Sequence, residues 1–176
     1  MPDILQMVLA SLTAIAAVSD LRWRIIPNWL VLAGLILGFG LNAYLFGWSG
    51  LLRSSLGFGL AAVVYLPLFA LRAMGGGDVK LMAAVGSIAG ASHWFTIFLF
   101  TSILGGIVAL LLIMLHGNLS HTFDNIAHIL RELSHFRPPH ILRPELSVDH
   151  PRAVGLPHGT VIGAGTLLFL LVLRFG

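Results

Sequence analysis

Two aspartates, Asp20 and Asp78, stand in this sequence where a carboxylate is expensive. Asp20 follows an apolar run at residues 3–19, and Asp78 immediately precedes another at 79–91. An ionisable side chain at the edge of such a run is a candidate for function by default. Two carboxylates at close range cannot both ionise easily, so they share a proton and titrate as a pair. The ionised member can take a proton from water while the protonated member polarises a peptide carbonyl. That chemistry hydrolyses a peptide bond without a metal, a thiol or a serine base. It suits a chain with no cysteine and no HExxH motif, from which disulfides, thiolate zinc sites and cysteine nucleophiles are excluded.

The approach to Asp78 is unusual. In "AMGGGDVKLM" the triplet Gly75, Gly76 and Gly77 runs straight into the aspartate, with Lys80 two residues further on. Glycine costs backbone entropy, permits positive φ and lets a second backbone come close. A reactive carboxylate that meets an extended peptide needs such room. Lys80 reads either as a docking or charge-tuning residue or as a side chain snorkelling to the interface. Simpler roles exist for both acids. Asp78 could N-cap the helix that follows, and Asp20 could pair with Arg22 or Arg24. Capping leaves the three glycines unexplained.

The elements that position these residues belong to a bilayer. Of the 176 residues 57% are hydrophobic and only 10% charged, and the mean hydropathy is +0.95. A soluble domain carries about 25% charged residues. Apolar runs that span or nearly span the hydrocarbon layer lie at 3–19, 29–47, 51–71, 79–91, 94–115 and 156–174. The expected fold is all-α, a single polytopic membrane domain of about six transmembrane helices. The fourth run is short and rich in small residues, which lets helices approach closely, so it is expected inside the bundle, away from lipid. The first twenty residues contain no Lys or Arg, and Asp3 occupies the place of a positive n-region. A retained first helix is expected rather than a cleaved signal.

Charge orients the bundle. Eight of the ten basic residues (Arg22, Arg24, Arg72, Lys80, Arg131, Arg137, Arg143 and Arg152) fall in three loops that share one side. Arg53 and Arg174 fall on the other. The positive-inside bias makes the eight-residue side cytoplasmic and leaves both termini outside. Asp20 and Asp78 then lie at cytoplasmic helix ends. Within the polar 116–155 loop, Leu119, Phe123, Ile126, Leu130 and Leu133 recur at helical spacing. An amphipathic helix on the membrane surface is expected there. Its other face carries His121, Asp124, His128, Arg131 and His135, which read as a solvated polar face rather than metal ligands. No basic run with interleaved aromatics marks a nucleic-acid surface.

"DLRWRIIPNW", Asp20 to Trp29, and "GGGDVKL", Gly75 to Leu81, closely resemble the type IV prepilin peptidases, membrane aspartyl proteases of the GxGD class. The late "GLPHGTVIGAG", Gly155 to Gly165, looks similar too, so the resemblance covers nearly the whole chain. It implies a catalytic pair at Asp20 and Asp78, with Gly75 and Gly77 as the GxGD glycines. Pro27 and Asn28 match the Pro-Asn that follows the first aspartate. It further implies a bacterial inner-membrane protein, prepilin-like substrates and no cofactor. Many members of that family carry an extra region with paired cysteines, associated with N-methylation of the mature product. This chain has no cysteine and no such insertion before Asp20, so it resembles the short form associated with Flp-type pili, without methyltransferase activity.

Three other readings compete, of which a non-catalytic membrane scaffold leaves the glycine-aspartate segment unexplained. Presenilin-type GxGD proteases place the first aspartate after a tyrosine, whereas Asp20 follows Ser19. A small transporter or channel component would use Asp20 and Asp78 as a proton or cation site, with both lining a pathway at mid-bilayer depth.

Overall fold

A computed structural model of the chain describes residues 1–71, 74–116, 131 and 157–175. These residues are all-helical: α1 (Asp3–Trp23), α2 (Asn28–Ala70), α3 (Gly76–Ala89), α4 (Ala91–His116) and α5 (His158–Phe175), with no strand among the described residues. α1, α2, α5 and the 91–112 part of α4 are long and apolar enough to cross a membrane. Their outward faces are apolar too: on α4, Leu110, Leu111, Met114 and Leu115 all point away from the bundle. A helix that is hydrophobic all round needs lipid on the side it does not bury.

α2 is a hairpin. At Gly47 the backbone takes φ +60° and ψ −137°, a conformation that glycine enters without a Cβ penalty. The Ser54 hydroxyl then donates to the Gly38 carbonyl at 3.2 Å; on an unbroken helix those residues would lie about 24 Å apart. The runs expected at 29–47 and 51–71 are thus both present, joined by a turn tighter than their spacing suggests. The first arm, 28–46, rises about 28 Å, close to the thickness of the hydrocarbon layer. Trp23 and Trp29 are exposed near one end of it and Tyr44 and Trp48 near the other. Aromatic side chains favour those two interfacial depths.

α3 occupies the place expected of it. It is not among the helices long enough to cross, and every residue from Leu81 to Gly90 is buried. The two arms of α2 enclose it through small residues and polar links. The Asn42 amide donates to the carbonyls of Ser87 and Ile88 at 3.2 and 3.1 Å, and the Ser54 hydroxyl also reaches Ser87 O at 2.7 Å. In a bilayer no hydrophobic force pulls one apolar helix toward another, so close packing and such hydrogen bonds hold the helices together. α3 ends at Gly90, where φ is +77°. Arg53 caps that end by donating to Ala89 O at 3.0 Å, and the Trp94 indole donates to Met82 O at 3.0 Å to fix α4 against it.

Among the described residues the bundle therefore has six helical segments: five apolar enough to cross, counting both arms of α2, and the enclosed α3. The amphipathic helix expected within 116–155, with its histidine face, lies outside the described residues, as does Arg72.

Candidate active site

One end of the bundle gathers the C-terminus of α1 and the N-termini of α2, α3 and α5. The α1–α2 connection is short and tied down. Arg24 closes α1 in the left-handed region, φ 55°, and its amide donates to Asp20 O at 2.9 Å. The Ser19 hydroxyl donates to Ile25 O at 2.7 Å. Pro27 stands at the cap of α2, where a missing amide costs nothing. Asn28 begins the helix, and its Oδ1 accepts from Lys80 Nζ at 3.1 Å. Lys80, expected to dock or to snorkel, thus ties the start of α3 to the start of α2.

Asp20 is buried. Its Oδ2 accepts from the Thr160 amide at 3.1 Å, which also faces Pro157 O at 3.1 Å. The amides in the first turn of a helix have no intrahelical partner of their own, so a helix start suits a carboxylate. Thr160 is anchored in turn, its hydroxyl donating to Ala17 O at 3.3 Å. Gly159 makes the approach possible. A Cβ there would stand 3.1 Å from Asp20 Cγ and 3.0 Å from Ile26 Cδ1.

Asp78 is not a helix cap. α3 begins at Gly76, Gly75 holds the cap position, and no side-chain hydrogen bond closes that end. Asp78 lies in the first turn instead. Nor do the glycines supply positive φ: among the described residues only Gly47, Gly90 and Arg24 have it. Their role is space. A Cβ on Gly76 would meet the Phe69 ring at 3.2 Å, one on Gly77 would meet Ile26 at 3.4 Å, and one on Gly75 would meet Asp78 Oδ2 at 3.3 Å. Ile26 therefore touches both glycine approaches, that of α3 beside Asp78 and that of α5 beside Asp20. Burial, and then the charge of Asp20, push the Asp78 carboxyl up to about 7. The two carboxylates share one electrostatic environment although they come from different helices.

The raised affinity for a proton has a consequence for stability. The unfolded carboxyl titrates near 3.8. Between that value and about 7 the folded chain holds a proton that the unfolded chain has released, so stability falls as pH rises through this window and levels off above it. Asp78→Asn removes the effect. We expect the variant to raise the thermal unfolding midpoint at pH 8 and to change it little at pH 4, measured in one detergent at fixed ionic strength. An equal shift at both pH values would contradict the assignment.

The sequence pattern brought Asp20, Pro27, Asn28, the glycines, Asp78 and Lys80 into view, and all of them lie at this end of the bundle. It gave no role to Ile26, Gly159 or Thr160, although all three lie within the quoted stretches. The last two sit in "LPHGT", where a proline followed by a glycine and a threonine marks a helix start.

No curated protein and no solved structure matches the chain. Residues 7–110 match the type IV leader peptidase family, a stretch that contains Asp20, the Pro27–Asn28 pair and the glycine run into Asp78. Since that match extends over more than half of the sequence, the chain belongs to the type IV leader peptidase family.

Proposed function

We propose that this protein is an aspartyl endopeptidase that removes the leader from prepilin-like precursors, those of Flp-type pili among them, at the cytoplasmic face of the bacterial inner membrane. The observation that carries this reading is the convergence of the buried Asp20 and the half-buried Asp78 at one end of the bundle, where the charge of Asp20 helps to raise the proton affinity of Asp78. Asp78 holds the shared proton and donates it in a hydrogen bond to the scissile carbonyl oxygen. Asp20, oriented by the Thr160 amide, takes a proton from the attacking water. The water oxygen bonds to the carbonyl carbon, giving a tetrahedral intermediate. Proton delivery to the leaving nitrogen then breaks the C–N bond, so one water is consumed and a carboxylate and an amine are released. No cofactor enters these steps. The transporter reading requires carboxylates at mid-depth, whereas Asp20 lies in the last turn of α1 and Asp78 in the first turn of α3.

The cytoplasmic assignment rests on the distribution of basic residues. Ser49 and Arg22 are both exposed and lie at opposite ends of the bundle. With a membrane-impermeant thiol reagent, Ser49→Cys should label in intact cells and Arg22→Cys only after the membrane is opened. Labelling of both from the same side would overturn the orientation.

Cleavage itself is tested with purified protein, a prepilin-like precursor and S-adenosylmethionine, followed by mass spectrometry of the product. We expect one cut at the leader junction and an unmethylated new N-terminus, in keeping with a sequence that has no cysteine. An intact precursor would contradict the peptidase reading. A product heavier by one methylene would contradict the peptidase-only form.

A further inference from the structure

α1 and α2 are consecutive, yet α1 leans on α5 while α2 wraps α3. Close approaches mark the first pairing: a Cβ on Gly163 of α5 would meet Ala17 Cβ of α1 at 2.8 Å. Between α1 and the first arm of α2 a crevice remains. It holds two apolar cavities of about 340 and 300 Å³, which share Ile15 and Trp29 as a common wall. The upper cavity reaches Ser19, Trp23 and Pro27, at the end of the bundle that holds Asp20. The lower one continues to Met7 and Leu37.

We propose that this crevice seats the apolar helix of a membrane-anchored substrate and so delivers its cleavage site to the carboxylates. The inference rests on the peptidase reading and adds the residues that would guide the substrate. Three features argue for a helix rather than a loose acyl chain. From Met7 to Trp23 the α1 wall runs about 24 Å, most of the hydrocarbon depth. Small side chains at Ser11, Ala14 and Ala33 line it, which is what lets a second helix come close in lipid. Finally, its upper end is built from Ser19, the residue before Asp20. A peptide bond inside a helix has its backbone groups paired and its carbonyl turned along the axis, so a protease must cut where the helix unwinds. A substrate helix seated with its N-terminal end at Ser19 and Pro27 places the extended residues just before it beside Asp20 and Asp78.

Ala33→Trp and Ser11→Trp would fill the lower cavity from its two walls without touching the carboxylate end. Each is reconstituted in liposomes and given two substrates: a full precursor with its apolar helix, and a soluble peptide with the same leader and junction that ends just beyond it. We expect cleavage of the full precursor to slow about tenfold or more, the scale on which lost apolar contacts act, and cleavage of the soluble peptide to be unchanged. Leu111→Trp, on the outward face of α4, should affect neither. Full-rate cleavage of the precursor by both filled variants would overturn the proposal, as would equal loss on both substrates in folded protein. Should the tryptophan variants fold poorly, a photo-crosslinking residue at Leu37 decides the matter. It should capture the precursor while the same residue at Leu111 does not, and equal capture or none at Leu37 would overturn the seat. Peptide cleavage by the unmodified protein separates the two readings: with it, a failure belongs to the crevice alone, and without it the peptidase reading fails and the seat falls with it.

Discussion

Asp20→Asn and Asp78→Asn should each lower the rate of leader cleavage by about 10²–10⁴, the usual loss for a positioned acid or base. Neither change should unfold the bundle. Asn is nearly isosteric with Asp, and an amide oxygen at position 20 can still accept from Thr160, whose amide reaches Asp20 Oδ2 at 3.1 Å. A capping role for Asp78 would make Asp78→Asn silent, because Asn caps a helix about as well as Asp. The position of Asp78 within the first turn of a helix whose cap position is held by Gly75 argues against that outcome. The assay is cleavage of a prepilin-like precursor by purified variants, with folding followed by thermal unfolding. Near-normal activity in either folded variant would remove that residue from the chemistry.

Gly57→Ala should be among the most damaging of the small substitutions, and it acts on the helix that carries Asp78. A Cβ there would fall on the backbone carbonyl of Gly86, and a Cβ on Gly86 would fall on that of Gly57. Neither obstacle is a side chain that can swing away, so α2 and α3 must separate. Overpacking of this kind costs about 1–3 kcal/mol, and it also shifts the helix whose first turn carries Asp78. We expect a lower unfolding midpoint and reduced cleavage together. Gly40→Ala and Gly59→Ala are the controls, since a Cβ at either position meets nothing within 4 Å. There the gain in helix propensity over glycine, about 1 kcal/mol, should leave stability unchanged or improved. Equal damage at Gly57 and Gly59 would contradict the packing account.

The long helices were legible because run length alone identifies a membrane-crossing segment, and the seclusion of α3 was legible from its small residues. The paired acids stood out because a carboxylate at the edge of an apolar run has few other reasons to be there. The glycine triplet is visible in the sequence, but what it does depends on what surrounds it. Sequence suggested both positive φ and close approach, and the structure uses close approach, against Phe69, Ile26 and Asp78 itself. What the sequence could not disclose depends on which surfaces meet. The tightness of the Gly47 turn follows from Gly50 packing on the Asn42 backbone across the hairpin. Thr160 reaches Asp20 across 140 residues, and nothing in a local pattern marks a backbone amide as the partner of a distant carboxylate. Lys80 and Asn28 were each noted, but their hydrogen bond joins two motifs that the sequence keeps 52 residues apart.

The central claim is that Asp20 and Asp78 work as one unit, and the rate of the double substitution tests it most directly. Residues that act together are strongly non-additive, so removing the second after the first should cost little more. Cleavage is measured for the unsubstituted protein, Asp20→Asn, Asp78→Asn and the double variant, in one detergent at a pH below 7, with each checked for folding. The account predicts that the double variant is about as slow as the slower single one. A double variant whose loss equals the product of the two single losses would mean that the two carboxylates act independently, and would contradict it.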